Sequence, residues 1–194
     1  MSKYSLLGLL LLTTVFFASC KKEKDKEEPE ETNTFTTAQV TFKDKATGDT
    51  TVYTYRNLEG LGGDYNSPQD RIIFHEASGS YDYDVSVAFF DETKDPAKDL
   101  TPMIQQKSDE YRLYWDFAAI EARNLNVDGF DKDKNGMTLG LKSAWKIGAY
   151  GGGLFMLVLR HYPNGGKEET DPIRSDKSTT VADISFLLDI WPYR

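Results

Sequence analysis

The residues best spaced for chemistry are Asp131-Lys132-Asp133-Lys134-Asn135-Gly136. Oxygen-bearing side chains at 131, 133 and 135, then a glycine, follow the first half of an EF-hand loop, where alternate oxygens converge on Ca²⁺ and the glycine permits a sharp turn. The pattern makes Asp131, Asp133 and Asn135 candidate Ca²⁺ ligands. The twelfth position of such a loop should carry a bidentate Glu; here it is Lys142, and strand signals rather than helix signals flank the loop. The same residues also suit a hairpin turn, because Asp and Asn bond their own backbone and Asn-Gly is itself a hairpin signature. His75 and His161 form a second candidate set, able to hold haem or a transition metal if the fold brings them together. His161 stands before Tyr162-Pro163 at a predicted strand end, where a surface or hydrogen-bonded histidine is the alternative reading.

A third set is aromatic: Tyr81, Tyr83, Tyr111, Tyr114, Trp115, Trp145 and Trp191. Lining a cup or platform, such rings bind sugars or apolar ligands; alternating along strands, they fill a core. Gly148-Ala149-Tyr150-Gly151-Gly152-Gly153 precedes the strand-like Leu154-Phe155-Met156-Leu157 rather than a helix, so it reads as a glycine-rich turn and not a phosphate cradle. Catalytic signatures are missing: the sequence has no Gly-x-Ser-x-Gly elbow and no His-Glu-x-x-His. Carboxylate pairs such as Asp82/Asp84 or Asp116/Glu121 could in principle hydrolyse glycosides, but 31 acidic residues make such pairs inevitable by chance.

These residues must be positioned mainly by strands. Tyr81, Tyr83, Val85, Val87 and Phe89 alternate with polar or small residues, as do Tyr111, Leu113, Trp115 and Phe117, and Ile184, Phe186, Leu188 and Ile190. Further strands are expected over Thr36–Phe42, Thr50–Arg56, Arg71–Ala77, Leu125–Asp128, Met137–Ile147 and Leu154–His161, with Gly- and Asn-rich punctuation between them. Many short strands so punctuated predict an all-β antiparallel sandwich, with a β-barrel as the alternative. One short helix is expected over 102–110, where Thr101 can cap and Pro102 suits the first helical position.

The 194 residues predict one folded domain, over 35–194, preceded by two segments of another kind. Lys3, an apolar run from Leu6 to Phe17 and then Ala18-Ser19 before Cys20 describe a secretory signal over 1–19, too short to span a bilayer. Phe17-Ala18-Ser19-Cys20 resembles the bacterial lipobox, which makes Cys20, the only cysteine, the expected lipid attachment site. Residues 21–34 are almost wholly charged or polar and are expected to form a solvated tether. A net charge of -8 opposes nucleic acid as a partner.

The succession Tyr55-Arg56-Asn57-Leu58-Glu59-Gly60-Leu61-Gly62-Gly63, Gly79-Ser80-Tyr81-Asp82-Tyr83, Asp109-Glu110-Tyr111, Asp131-Lys132-Asp133-Lys134-Asn135-Gly136 with Leu139-Gly140-Leu141, Leu157-Val158-Leu159-Arg160-His161-Tyr162-Pro163 and Ala182-Asp183-Ile184-Ser185-Phe186 resembles a group of small Bacteroidota outer-membrane lipoproteins. Members often carry the label "type 1 periplasmic binding fold superfamily protein". That label names an α/β architecture, whereas the periodicity of this chain predicts β. The resemblance runs from about Phe35 to Trp191 and rests on turns and strand ends. It implies an exported accessory lipoprotein associated with TonB-dependent receptors. Relatives tend to carry His where this chain has Tyr111, so a His-based site would lack one ligand here, whereas His161 and the Asp131/Asp133/Asn135 turn are kept. The expectation is a lipid-anchored, non-enzymatic binding or accessory protein of the outer membrane, facing the periplasm or the cell surface. The alternatives are a small carbohydrate-active hydrolase and a haem or metal capture protein.

Overall fold

A computed structural model describes residues 33–63, 71–76, 81–122, 125–148 and 151–192. The signal, Cys20 and nearly all of the tether lie outside the described residues. Asn33–Arg194 is one compact unit, and its order starts early: the Thr34 amide donates to Asp91 Oδ2 at 2.8 Å.

In chain order the elements are β1 (Thr37–Asp44), β2 (Thr50–Arg56), β3 (Arg71–Glu76), β4 (Tyr81–Asp91), β5 (Lys98–Asp99), α1 (Thr101–Gln106), β6 (Tyr111–Ala122), β7 (Leu125–Asp128), β8 (Lys142–Ile147), β9 (Gly151–His161) and β10 (Thr179–Pro192). They form two sheets that do not close into a barrel. The first has the order β2-β1-β4-β8-β7, with β5 paired to β4; the second has the order β3-β10-β9-β6. The inward halves of the alternating strands meet between them. Val40, Phe42, Val87, Phe89 and Trp145 of the first sheet share one buried cluster with Leu113, Phe155, Leu157, Phe186 and Leu188 of the second. Trp145 sits near its centre, edge-on to Phe42 at 5.1 Å and to Phe155 at 5.7 Å. The architecture is the sandwich that period-two alternation predicts.

Four local differences from the sequence expectation have physical causes. Strand β3 runs parallel to β10, which a strand's own alternation cannot reveal. The helix stops at Gln106 rather than 110, because Ser108–Glu110 turn into β6 and the Ser108 carbonyl accepts from the Lys167 ammonium at 2.7 Å. The strand expected from Met137 starts only at Lys142, because Gly140 has φ +86 and lies so close to β6 that a Cβ there would stand 2.2 Å from the Leu113 carbonyl oxygen. Gly151, Gly152 and Gly153 open β9 instead of forming a turn; Gly152 passes β10 so closely that a Cβ would meet the Leu188 oxygen at 2.5 Å.

The outer faces of the two sheets differ. The chain between β9 and β10 folds over part of the second sheet's outer face, burying Tyr114, Val158, Arg160, Tyr162, Lys167 and Ser185. The first sheet's outer face is polar: Lys43, Asp84, Lys142 and Lys146 are exposed there.

Candidate functional site

The Asp-rich turn is held together by its own polymer. Asp133 is buried, and its Oδ1 accepts from the amides of Asn135 at 2.8 Å and Met137 at 2.9 Å. Its Oδ2 lies 2.9 Å from the Lys167 ammonium, whose side chain is 2% exposed. That ammonium also donates to the carbonyls of Ser108 and Tyr111 at 2.7 Å and of Thr138 at 3.2 Å. Burial pushes the Asp133 carboxyl up, but Lys167 and the two amides outweigh it and hold the group below its ordinary value. Burial likewise brings Lys167 below the usual lysine range, against the pull of Asp133. Asp131 Oδ1 accepts the Lys142 amide at 2.9 Å, and its carbonyl accepts Leu139. Asn135 is exposed at the tip. Of the three expected Ca²⁺ ligands, two therefore have an oxygen committed to a backbone amide, and a lysine ammonium supplies positive charge at Asp133. A metal ion entering here would have to displace Lys167.

This staple fixes what lies beside it. Lys167 joins the end of α1, the start of β6 and the turn, bringing Glu169 over Thr138. Glu169 accepts from the Thr138 hydroxyl at 2.5 Å and amide at 3.0 Å, and from Lys132 at 3.2 Å. Those bonds hold its carboxyl down at about 2. Phe130, just before the turn, faces Trp115 at 6.5 Å.

Trp115 and Phe130 line two adjoining cavities where the sheet edges β6 and β7 meet. One, about 360 Å³, is completed by Phe117, Leu125, Asn126 and Val127. The other, about 240 Å³, is completed by Arg112, Leu113, Tyr114, Thr138 and Glu169. Strand β6 is irregular between Asp116 and Ala119, beside Phe117, the kind of bulge that bends an edge strand and re-aims its side chains. Trp115 is held from three sides: its Nε1 donates to the Gly140 carbonyl at 2.8 Å, and Phe117 and Phe155 stack on it, each at 6.2 Å. The two cavities make one cleft with an aromatic half and a charged half. In the charged half, Arg112 lies over the Tyr114 ring at 4.4 Å, and its Nη1 donates to the carbonyls of Glu168 and Glu169. Behind it, the Tyr114 and Tyr162 hydroxyls share a buried hydrogen bond of 2.7 Å, and burial with that bond pushes the Tyr114 phenol well up. Such a cleft can take a ring-shaped ligand on its aromatic half and hydrogen-bond it at the other.

The remaining predicted residues disperse. His161 stacks on Tyr111 at 4.6 Å, with Nε2 3.4 Å from Glu110 Oε2. Strands β6 and β9 pair Tyr111 with His161, so the two side chains stand against each other across the ladder. His75 pairs with Trp191 on β10, whereas His161 pairs with Thr179 at the other end of that strand, roughly 40 Å away at ~3.3 Å per residue. The two histidines do not share a site. Among the described residues no group of three or more His, Cys, Asp or Glu is arranged to hold a metal ion. Of the aromatic set, Trp145 belongs to the core, Tyr83 packs on Phe42 and Phe74, Trp191 is exposed, and Trp115 lines the cleft. Phe117, Phe130, Arg112 and Glu169 were not singled out by the sequence. Phe117 was legible as Trp115's neighbour two residues along β6, but the other three are brought together by long-range bonds, those of Arg112 to the Glu168 and Glu169 carbonyls and of Lys167 to the turn. Comparison with protein-family models, with curated proteins and with solved structures finds no match.

Proposed function

We propose that this protein is a lipid-anchored, non-enzymatic binding module of the bacterial outer-membrane envelope that presents its β6–β7 cleft to a ligand, working beside a TonB-dependent receptor. The observation that carries the binding half is the cleft itself: an aromatic wall of Trp115, Phe117 and Phe130 continuous with Arg112, Thr138 and Glu169. The carboxylates near it serve structural bonds: Glu169 on Thr138, Asp133 on Lys167 and Asp171 on Lys177. Asp82 and Asp84 sit on the exposed face of β4, where Asp84 pairs with Lys45 at 3.1 Å. The anchoring half rests on the lipobox-like Phe17-Ala18-Ser19-Cys20 and the charged run that follows it.

Thermal unfolding of the purified full chain against a panel of oligosaccharides, apolar ring compounds, haem and metal ions, with product analysis of each mixture, tests the binding half. A binder of the native state raises the midpoint, by the equivalent of about 2.7 kcal/mol at ~100-fold saturation. The expected result is a shift without turnover that is lost on Trp115→Ala. Turnover of a glycan, lost on Asp116→Asn, would replace the binding reading with a hydrolase, and a Soret band would replace it with haem capture. Mass analysis of the N-terminal peptide tests the anchor, and an unmodified Cys20 overturns it.

A further inference from the structure

The outer face of the first sheet carries a groove of about 360 Å³ that the cleft does not touch. Its floor follows from the register. Thr41 of β1 lies opposite Ser86 of β4, and Asp84 of β4 lies opposite Ala144 of β8, so the outward side chains along the middle of the sheet are short. Gly129, after β7, adds no side chain on that flank. Longer side chains stand on either side: Lys43, between Thr50 and Asp84, and Lys142, opposite Ser86. Short residues between long ones make a trough across the strands.

The charges in the trough are unevenly committed. Asp84 is paired with Lys45 at 3.1 Å. The ammonium groups of Lys43 and Lys142 have no ion-pair or hydrogen-bond partner among the described residues. In a chain of net charge -8, two free cations beside the hydroxyls of Thr41, Thr50 and Ser86 form a local positive site. Two strand spacings of ~4.8 Å and a two-residue offset put the Lys43 and Lys142 Cα atoms about 12 Å apart.

We propose that this groove is a second binding site, independent of the cleft, for an acidic oligosaccharide: a sugar chain bearing carboxylate or sulfate groups. Two separated ammonium groups suit charges spaced along one chain, and the hydroxyls between them suit the sugar hydroxyls. The groove residues in question include no aromatic side chain, so recognition is by charge and hydrogen bonding rather than ring stacking. A trough with its cations beside the floor fits a chain segment better than the flat surface of a bilayer.

Titration calorimetry of the full chain in non-ionic detergent, with oligogalacturonate and sulfated oligosaccharides against neutral dextran fragments, at low and high salt, tests this. The acidic chains are expected to bind at low salt and weaken as salt rises, while the neutral ones do not bind. Lys43→Gln with Lys142→Gln should lower the affinity about tenfold, and Lys107→Gln, at the end of α1, should leave it unchanged. No binding of any acidic oligosaccharide, or equal binding by the double variant, overturns the proposal. Binding only to vesicles of anionic lipid, or only to nucleic acid, overturns it as well.

Discussion

The two outer sheet faces use the same residue types to opposite ends. On the second sheet the residues between β9 and β10 bury the Arg160 guanidinium and the Lys167 ammonium, and both cations are held by carbonyls, hydroxyls or a carboxylate: Arg160 alone bonds Ser175, Ser178 and Thr180. On the first sheet Lys43 and Lys142 are exposed, and their ammonium groups have no partner among the described residues. A buried cation must be satisfied internally or it unfolds its surroundings, whereas an exposed one costs little and stays free for a ligand. The difference separates cations that build the molecule from cations left at its surface, although composition treats them alike.

Replacing a cation on each face should break that contrast most plainly. Lys167→Met leaves Asp133 charged and buried and three carbonyls without a donor, so it should destabilise by about 3–5 kcal/mol. Adding Asp133→Leu should restore much of the loss, because an apolar pair needs no partner. Chemical denaturation reads both, and a Lys167→Met loss under about 1 kcal/mol would remove the staple from the account. The same variant bears on Ca²⁺: the ion should leave the midpoint of the wild type unmoved and raise that of Lys167→Met, where Asp133 no longer faces an ammonium. Tyr114→Phe, which leaves the buried Tyr162 hydroxyl short of a partner, should cost about 1–2 kcal/mol.

Glu169 gives the contrast a pH dependence. Its folded pKa, about 2, lies below the ordinary 4.5. A depressed carboxyl supports the fold above its unfolded value and withdraws that support as pH falls through its folded value. Midpoints of wild type and Glu169→Gln should therefore differ most above pH 4.5 and converge between there and about 2. Half of the Glu169 side chain is exposed, so the gap should be small and should shrink with salt. The smallest effect belongs to the bare face: Lys43→Gln with Lys142→Gln should leave stability within about 0.5 kcal/mol of wild type. A larger loss would mean those lysines are structural.

The sandwich was legible because β4, the first half of β6 and β10 from Ala182 onward alternate, and their inward residues form the core or pack against it. The parallel pairing of β3 was not, since Arg71–Glu76 presents the same alternation in either direction. The cleft was half legible. Trp115 and Phe117 share a strand face, but Arg112, Phe130 and Glu169 come from three separate segments, joined by long-range bonds of Arg112, Thr138 and Lys167, and in sequence Lys167 is one more charge in a hydrophilic loop. The Asp-rich motif drew the eye for its oxygens. One of its carboxylates serves a lysine 34 positions away, and spacing within a motif carries no trace of such a partner.

The entry of the chain into the fold has a mechanical side. The Thr34 amide is tied to Asp91, and β1 follows at once, flanked by β2 on one side and β4 on the other. A force applied through the residues before Asn33 therefore loads a strand inside the sheet, not one at its edge. Extracting it means sliding two ladders together, with registers running Thr37–Lys43 against β2 and Thr37–Asp44 against β4, instead of unzipping one bond at a time.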